Sequence, residues 1–480
     1  MWTQRDQLQA YQFLRRRLVS ALQVGDANHP VSPSRRLVIG CALGAAVTLL
    51  VTAGFGVYGF LRPGANTDWR KPGQVVIDKD TGAAYVMGAD GLLHPMLNYA
   101  SARLLAGGDG TATSRVSSKS LAGAPRGVPL GIPGAPSSLP GRDRLLTGPF
   151  TVCAQIADGR PAGTAPVTTA LAGVAPVGTE VDAATALLVA GPDGTEHALV
   201  AGRRHRIADP ATAVALGYDA VRPLPVSGAW LSAVVAGPDL RLITVSRVGA
   251  AGPRVGDLST RVGQVLAATT VGAEARYYLV HADGLLAIGQ TEAALVLGNP
   301  ANRAAYPDGA AREIAVTPAD VAQSKPVAGT AAGYPARLAP PAEVPQEGAA
   351  VCATVDGDRA VVRLGAATGV PAGVAPMAAG GGTGADTVFV PAGRAAVVRE
   401  RPTPQAVLGA VFLLTDQGVR HPVPDGDALK ALGYGAVRPT PVPPTVLALF
   451  PVGPVLDPAA AQRPAAPAAA PRATGAGETR

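Results

Sequence analysis

The sequence predicts an α+β fold, mainly β, tethered to a membrane by a single transmembrane helix. Three observations predict it: one long uncharged run near the amino terminus, a strand–turn–strand–helix unit that recurs along the rest, and a composition rich in turn formers. Gly (59) and Pro (45) exceed a fifth of the 480 residues and aromatics make up 4%, which suits short strands around small cores rather than one large helical body. A chain of this length is expected to hold about two to four domains. Arg fills 36 of the 41 basic positions, leaving Lys at Lys71, Lys79, Lys119, Lys325 and Lys430. With heavy Ala usage this looks like GC-rich coding, so a single Arg is no sign of a phosphate ligand. A net charge of +7 without a dense basic face argues against nucleic acid as a partner.

The membrane segment comes first. Leu37 to Leu61, LVIGCALGAAVTLLVTAGFGVYGFL, carries no charge. A helix of that length reaches roughly 37 Å, enough to cross a hydrocarbon core of about 30 Å with some tilt. A buried core helix does not fit, because the rest of the chain offers no comparable apolar mass to wrap around it. A cleaved signal peptide does not fit either, since the run is too long and no A-x-A site follows. Val38-Ile39-Gly40-Cys41 matches a lipoprotein cleavage box by letter but opens the apolar run instead of closing it, so Cys41 reads as a buried thiol in the span. Arg5, Arg15, Arg16, Arg17, Arg35 and Arg36 precede the span, whereas Arg62, Arg70 and Lys71 follow it. The positive-inside rule then puts the amino terminus in the cytosol and the remainder outside. Cysteine usage agrees, leaving the even pair Cys153 and Cys352 for an oxidising compartment.

The arm before the span, residues 1–36, repeats Leu14, Leu18 and Leu22 at four-residue spacing, with Leu8 and Tyr11 extending the stripe. Arg15, Arg16 and Arg17 crowd its flank. A basic amphipathic helix beside a membrane can lie on anionic lipid headgroups or dock to a partner subunit. The plainer alternative is a solvated helix that does no more than set topology.

Past the span, the recurring unit reads YVMGADGLLHPM from Tyr85, LLVAGPDGTEHALV from Leu187, YYLVHADGLLAIG from Tyr277 and VFLLTDQGVRHPV from Val411. Each is an apolar strand, a tight turn and a second strand. A short capped helix follows each: from Asn98 to Gly107, from Asp209 and Pro210 to Gly217, from Thr291 to Gly298, and from Asp427 to Gly433. In the second and fourth copies the next segments, GYDAVRPLPV from Gly217 and GYGAVRPTPV from Gly433, agree at eight of ten positions, which points to duplication. Such a unit buries little alone and needs neighbours. His94, His197 and His421 fall just after the turns, but each stands alone without a second ligand at metal spacing. They read as hydrogen-bonded strand-end residues, and no metal or other cofactor is expected.

The non-repeat stretches, 123–185 and 328–405, carry Cys153 in FTVC and Cys352 in AAVC. Their symmetrical placement implies that they fold together as one central module clamped by a Cys153–Cys352 disulfide. The repeats are then 62–122, 186–250, 251–327 and 406–458, with a low-complexity, disordered Pro/Ala-rich tail over 459–480.

RDQLQAYQFLRRRLVSAL before the span, and TGAAYVMGADGLLHPMLNYASARLLAG and RGVPLGIPGAPSSLP after it, closely resemble EccB, a membrane component of the actinobacterial type VII (ESX) secretion machinery. The likeness runs from Arg5 to about Pro458, and the cysteine pair and four-repeat layout also match. It implies a structural subunit of an oligomeric inner-membrane complex built with other core subunits, among them a separate cytosolic ATPase, that exports small helical proteins of the WXG100 kind.

That family is sometimes labelled an ATPase. A P-loop needs Gly-Lys-Ser/Thr, none of the five lysines follows a glycine, and the GGGTG run from Gly380 has no Lys near it. No G-x-S-x-G or H-E-x-x-H occurs. The residues thus lean against an enzyme without closing the question. A cell-wall-binding protein is the rival class, although Trp69 and Trp230, the tryptophans outside the arm, do not repeat as glycan platforms would.

Overall fold

The computed structural model describes residues 3–25, 33–61, 68–109, 112–155, 165–307, 309–329, 333–344, 350–356, 359–371, 374–379, 384–403, 406 and 409–465. Helix α1 spans Gln4–Val24. It opens at Thr3, whose backbone N–H and hydroxyl both donate to the Asp6 carboxylate at 3.0 and 2.7 Å, and it closes at Gly25 in the left-handed region. Helix α2 runs over Pro33–Leu61, and its window Leu37–Tyr58 is long and apolar enough to cross a membrane. No residue of that window is buried within the chain, and Cys41, the free thiol, lies on its exposed surface. The thiol is therefore not buried by the chain itself; any cover must come from outside the chain.

The first sheet contains β1 (Val75–Asp78), β2 (Ala84–Met87) and β3 (Leu93–Pro95), then α3 (Tyr99–Ala106) and β4 (Thr113–Val116), followed by α4 (Ser118–Leu121). Its strand order is β3-β2-β1-β4, with β4 parallel to β1. The chain passes through β5 (Phe150–Gln155), β6 (Val167–Ala172) and β7 (Val177–Glu180). It then builds a second sheet from β8 (Leu187–Ala190), β9 (Glu196–Val200), β10 (Arg203–Arg206), α5 (Pro210–Leu216) and β11 (Leu224–Pro225), with α6 (Gly228–Ala233) after it. A hairpin of β12 (Ala251–Val255) and β13 (Leu258–Arg261) introduces the third sheet. That sheet holds β14 (Val265–Ala268), β15 (Arg276–His281), β16 (Gly284–Ile288), α7 (Gln290–Leu297) and β17 (Ile314–Val316), then α8 (Pro318–Ala322). Next come β18 (Ala350–Asp356), β19 (Arg359–Ala367), β20 (Met377–Ala378) and β21 (Thr387–Phe389). The fourth sheet holds β22 (Ala395–Glu400), β23 (Val411–Thr415), β24 (Arg420–Val423), α9 (Gly426–Ala431) and β25 (Thr440–Val442), with α10 (Pro444–Leu447) and α11 (Pro458–Ala461) beyond. All four sheets share one order, third strand, second, first, then the parallel return strand.

The stretches that carry the cysteines join in one seven-stranded sheet, β20-β21-β6-β5-β18-β19-β7. Strands β5 and β18 lie antiparallel at its middle with Cys153 opposite Cys352, and the two are bonded. The edges are exchanged. β7, from the first stretch, pairs with β19 of the second, while β21, from the second, pairs with β6 of the first. One face of this sheet, with Phe150, Val152, Val351 and Ala353, packs under Trp230 and Leu231 of α6 and Leu447 and Phe450 at and beyond α10. The four sheets pack pairwise around it. Ala100 and Leu104 of α3 meet Leu413, Leu429 and Leu432 of the fourth sheet, and Leu295 of α7 meets Leu188, Val200 and Leu216 of the second.

Several local expectations shift. The sequence pattern places the second hairpin at Leu187–Val200, yet that is β8–β9, the first two strands of its sheet, whereas the matched hairpins elsewhere are second and third strands. Its true counterpart is β9–β10. That turn uses Ala201 and Gly202, both at positive φ (49° and 77°), without the Asp-Gly letters that mark such turns. The third helix is capped at Gly289, whose N–H donates to Glu292, not at Thr291, and the fourth at Asp425, not Asp427. Strand β22 falls within 328–405 but belongs to the fourth sheet. The start of the tail is ordered. Ala461 is fully buried, Ala465 donates to the Pro129 carbonyl, and the run of small residues in α11 lets it sit close on α3. The remainder of the tail, 466–480, and the GGGT of the run from Gly380 lie outside the described residues.

Candidate functional site

The histidines settle into a structural device. His94 Nδ1 lies 2.9 Å from the Val128 carbonyl oxygen, His205 Nδ1 3.0 Å from that of Pro238, and His421 Nδ1 3.3 Å from that of Pro454. Each bond pins the segment that follows the unit onto its third strand. Gly127, Gly237 and Gly453 lie flush on the three rings, where any Cβ would collide with the imidazole. His205, not His197, is therefore the equivalent of His94 and His421, as the corrected hairpin requires. In the third sheet Leu286 packs on Gly329 in the same place. Among the described residues no group of three or more His, Cys, Asp or Glu could hold a metal ion.

The near-identical segments after α5 and α9 act as clasps between sheets. Tyr218 donates from its hydroxyl to the Ala339 carbonyl at 3.0 Å, in the segment following the third sheet. Tyr434 donates to the Pro140 carbonyl at 2.8 Å, in the segment following the first. Both rings are buried, and burial pushes the Tyr218 phenol up to about 12 and raises that of Tyr434 as well. Around the second clasp, Arg103 of α3 donates to the Ala431 and Leu432 carbonyls, each at 3.3 Å, and Arg142 to that of Gly433 at 2.7 Å. Cations thus meet the orphan carbonyls at the end of α9. The tyrosine shared by the two segments makes this repeated lock, a role the sequence signalled as duplication without revealing its contact.

At the amino-terminal end, α1 presents Leu14, Leu18 and Leu22 at 64%, 63% and 79% exposure, with Leu8 and Tyr11 equally uncovered. Arg15, Arg16 and Arg17 lie on the same helix. The five lysines are scattered, near the start of the first sheet (Lys71, Lys79), in α4 (Lys119), after α8 (Lys325) and in α9 (Lys430), and no two of them share an element.

One helix long and apolar enough to cross a membrane, a helical arm with an uncovered apolar stripe and a body of mutually locked sheets are the features of an assembly protein. The whole chain to residue 467 matches the family described as type VII secretion system ESX-1, transport TM domain B. It is 30% identical to the ESX-3 secretion system ATPase EccB3 of Mycolicibacterium smegmatis, over 94% of this chain and 89% of that one. It is 34% identical to the ESX-2 secretion system ATPase EccB2 of Mycobacterium tuberculosis over 51% of this chain and 48% of the relative. Among solved structures it resembles a chain of the intact ESX-5 inner membrane complex, at a TM-score of 0.64 and 26% identity, covering 100% of this chain and 98% of that chain. It also resembles a chain of the EccB3 dimer from the ESX-3 core complex, at a TM-score of 0.64 and 28% identity, covering 81% and 100% respectively. The chain belongs to the EccB family of type VII secretion proteins.

Proposed function

We propose that this chain is a structural and assembly subunit of a type VII (ESX) inner-membrane complex that exports small helical WXG100-type proteins. The observation that carries the reading is the likeness, over the full chain, to a subunit of the ESX-5 inner membrane complex. In this reading residues 1–36 form the cytosolic arm, 37–61 the span, and everything beyond lies outside the cytoplasm. Repeats 62–122, 186–250, 251–327 and 406–458 surround the central module of 123–185 and 328–405, with the fourth repeat taking in β22. The shared strand order of the four sheets supports their origin as copies of one unit. The stripe of Leu14, Leu18 and Leu22 with Arg15, Arg16 and Arg17 is the surface that docks to neighbouring subunits and to anionic lipid.

The word ATPase in the relatives' names is a competing reading. Here it finds no Gly-Lys-Ser/Thr sequence and no two lysines sharing an element. Energy then comes from a separate cytosolic ATPase subunit. Cell-wall contact by the outer body is the remaining alternative.

Two measurements test the assembly reading together. Deleting residues 5–24 should leave an inserted protein that no longer co-purifies with other membrane subunits in mild detergent. Cysteine labels placed after residue 465 should react with an impermeant reagent in wall-stripped cells, while labels near Gln9 should not. Unchanged co-purification reduces the arm to a topology signal, and the reverse labelling pattern overturns the orientation.

A further inference from the structure

The central sheet carries a cleft that none of these locks uses. It has a volume of about 900 Å³ and opens between residues 232–236, at and after the end of α6, and residues 440–445, which include β25. Its floor comes from β5, β18 and β19, with Thr354 and Val355 half-buried along it and Phe150 buried at its base. Arg204 of β10, Arg363 of β19 and Arg401 after β22 enter from separate elements, and Glu180 of β7 is the single carboxylate among the described lining residues. Arg363 donates to Glu180 at 2.8 Å, and the Arg204 Nε donates to the Val234 carbonyl at 3.0 Å. Each of these bonds uses one of a guanidinium's five N–H donors. Among the described lining residues three guanidiniums thus stand against one carboxylate, over an apolar, hydroxyl-bearing floor.

The walls restrict what can bind. Pro149, Pro402, Pro441, Pro443 and Pro444 all line the cleft. Proline carries no backbone N–H, so these five positions add nothing to a phosphate cradle. They also block strand addition at β25. Val442 turns its carbonyl to the Arg401 N–H, so Pro441 faces the open edge with no donor to offer. Recognition falls to the guanidiniums, whose planar fork matches carboxylates, and to the flat apolar surfaces of the prolines.

We propose that this cleft is a docking site for an extended acidic peptide segment of another protein, with its carboxylates on Arg363 and Arg401 and its backbone over Val355 and the cleft prolines. The proposal goes beyond the assembly reading and does not require it. The test uses the full-length protein in detergent and three probes: a labelled hexapeptide alternating Glu and Ala, its Lys counterpart, and ATP. The acidic peptide should bind in a salt-sensitive manner and the Lys peptide should not. Arg363→Gln and the more exposed Arg401→Gln should each weaken binding by roughly tenfold. Arg254→Gln, which does not line the cleft, should leave it unchanged. Absence of binding, equal binding of both peptides, or indifference to the two substitutions would overturn the proposal. So would ATP occupying the site in preference to the peptide, which would make it a small-polyanion site.

Discussion

Replacing Cys153 and Cys352 together by Ala perturbs the unfolded chain far more than the folded one. The bond closes a separation of 199 residues, and in the chain-entropy model such a loop is worth about 5 kcal/mol. Two buried sulfurs are lost as well, on the order of 1 kcal/mol each in packing. Alanine avoids the buried, unpaired hydroxyl that serine would leave. For a body the size of residues 68–465, the combined loss corresponds to a fall in Tm of about 8 °C. Circular dichroism of the wild-type and doubly substituted proteins measures it directly. The native sheet should survive, because the six-pair ladder from Ala350 opposite Gln155 to Val355 opposite Phe150 holds the strands in register without the bond. A protease site inserted at Val271, in a fully exposed loop, adds a second readout. Cut protein should run as one species in denaturant without reductant and as two with it, while cut alanine variant in native buffer should remain associated. A Tm within a degree of wild type would refute the loop-closure argument, and dissociation of the cut variant in native buffer would refute the ladder.

Tyr434→Phe leaves the Pro140 carbonyl without its donor and should cost about 1–2 kcal/mol. Hydrogen exchange should rise between the first and fourth sheets, and Tyr218→Phe should raise it between the second and third instead. Burial holds the imidazoles of His205 and His421 below their ordinary value, so the unfolded chain binds protons more readily. Their contribution to stability is therefore full above about pH 6.5 and is lost as the pH falls toward the depressed folded values. Tm should be lower near about pH 5.5 than near about pH 7.5, and His421→Gln should reduce that difference. Purified protein should hydrolyse ATP no faster than a heat-killed control; a rate that scales with protein and falls on a point substitution would contradict this.

Much of the architecture was legible because it is written in short-range chemistry. Asn98 and Asp209 cap the helices where they were expected, since a side-chain oxygen before an apolar run satisfies the first free N–H groups. The long uncharged run needed no context at all. The second hairpin misled because Pro192-Asp193-Gly194 spells a turn more loudly than Ala201-Gly202, although both segments do turn. The packed start of the tail was hidden by its letters: Ala and Pro resemble disorder until a neighbouring helix gives small residues something to lie against. The tyrosine clasps were visible as repeated letters, but their acceptors lie 121 and 294 residues away, on segments with no pattern of their own. The cleft had no signal in sequence, because its arginines come from three separate elements.

The exchanged edges of the central sheet set an order on how the chain can be made. If the body is threaded outward behind the span, β5, β6 and β7 arrive long before β18, β19 and β21, which complete their sheet. β6 lacks β21 and β7 lacks β19 until residue 389 has passed. The first sheet likewise waits for the fourth to cover α3. Nearly the whole body must therefore be delivered before its centre can close. For a chain so threaded, native folding would be coupled to complete translocation, and a chain halted after the second sheet would display unpaired strand edges rather than form a smaller working version of the protein.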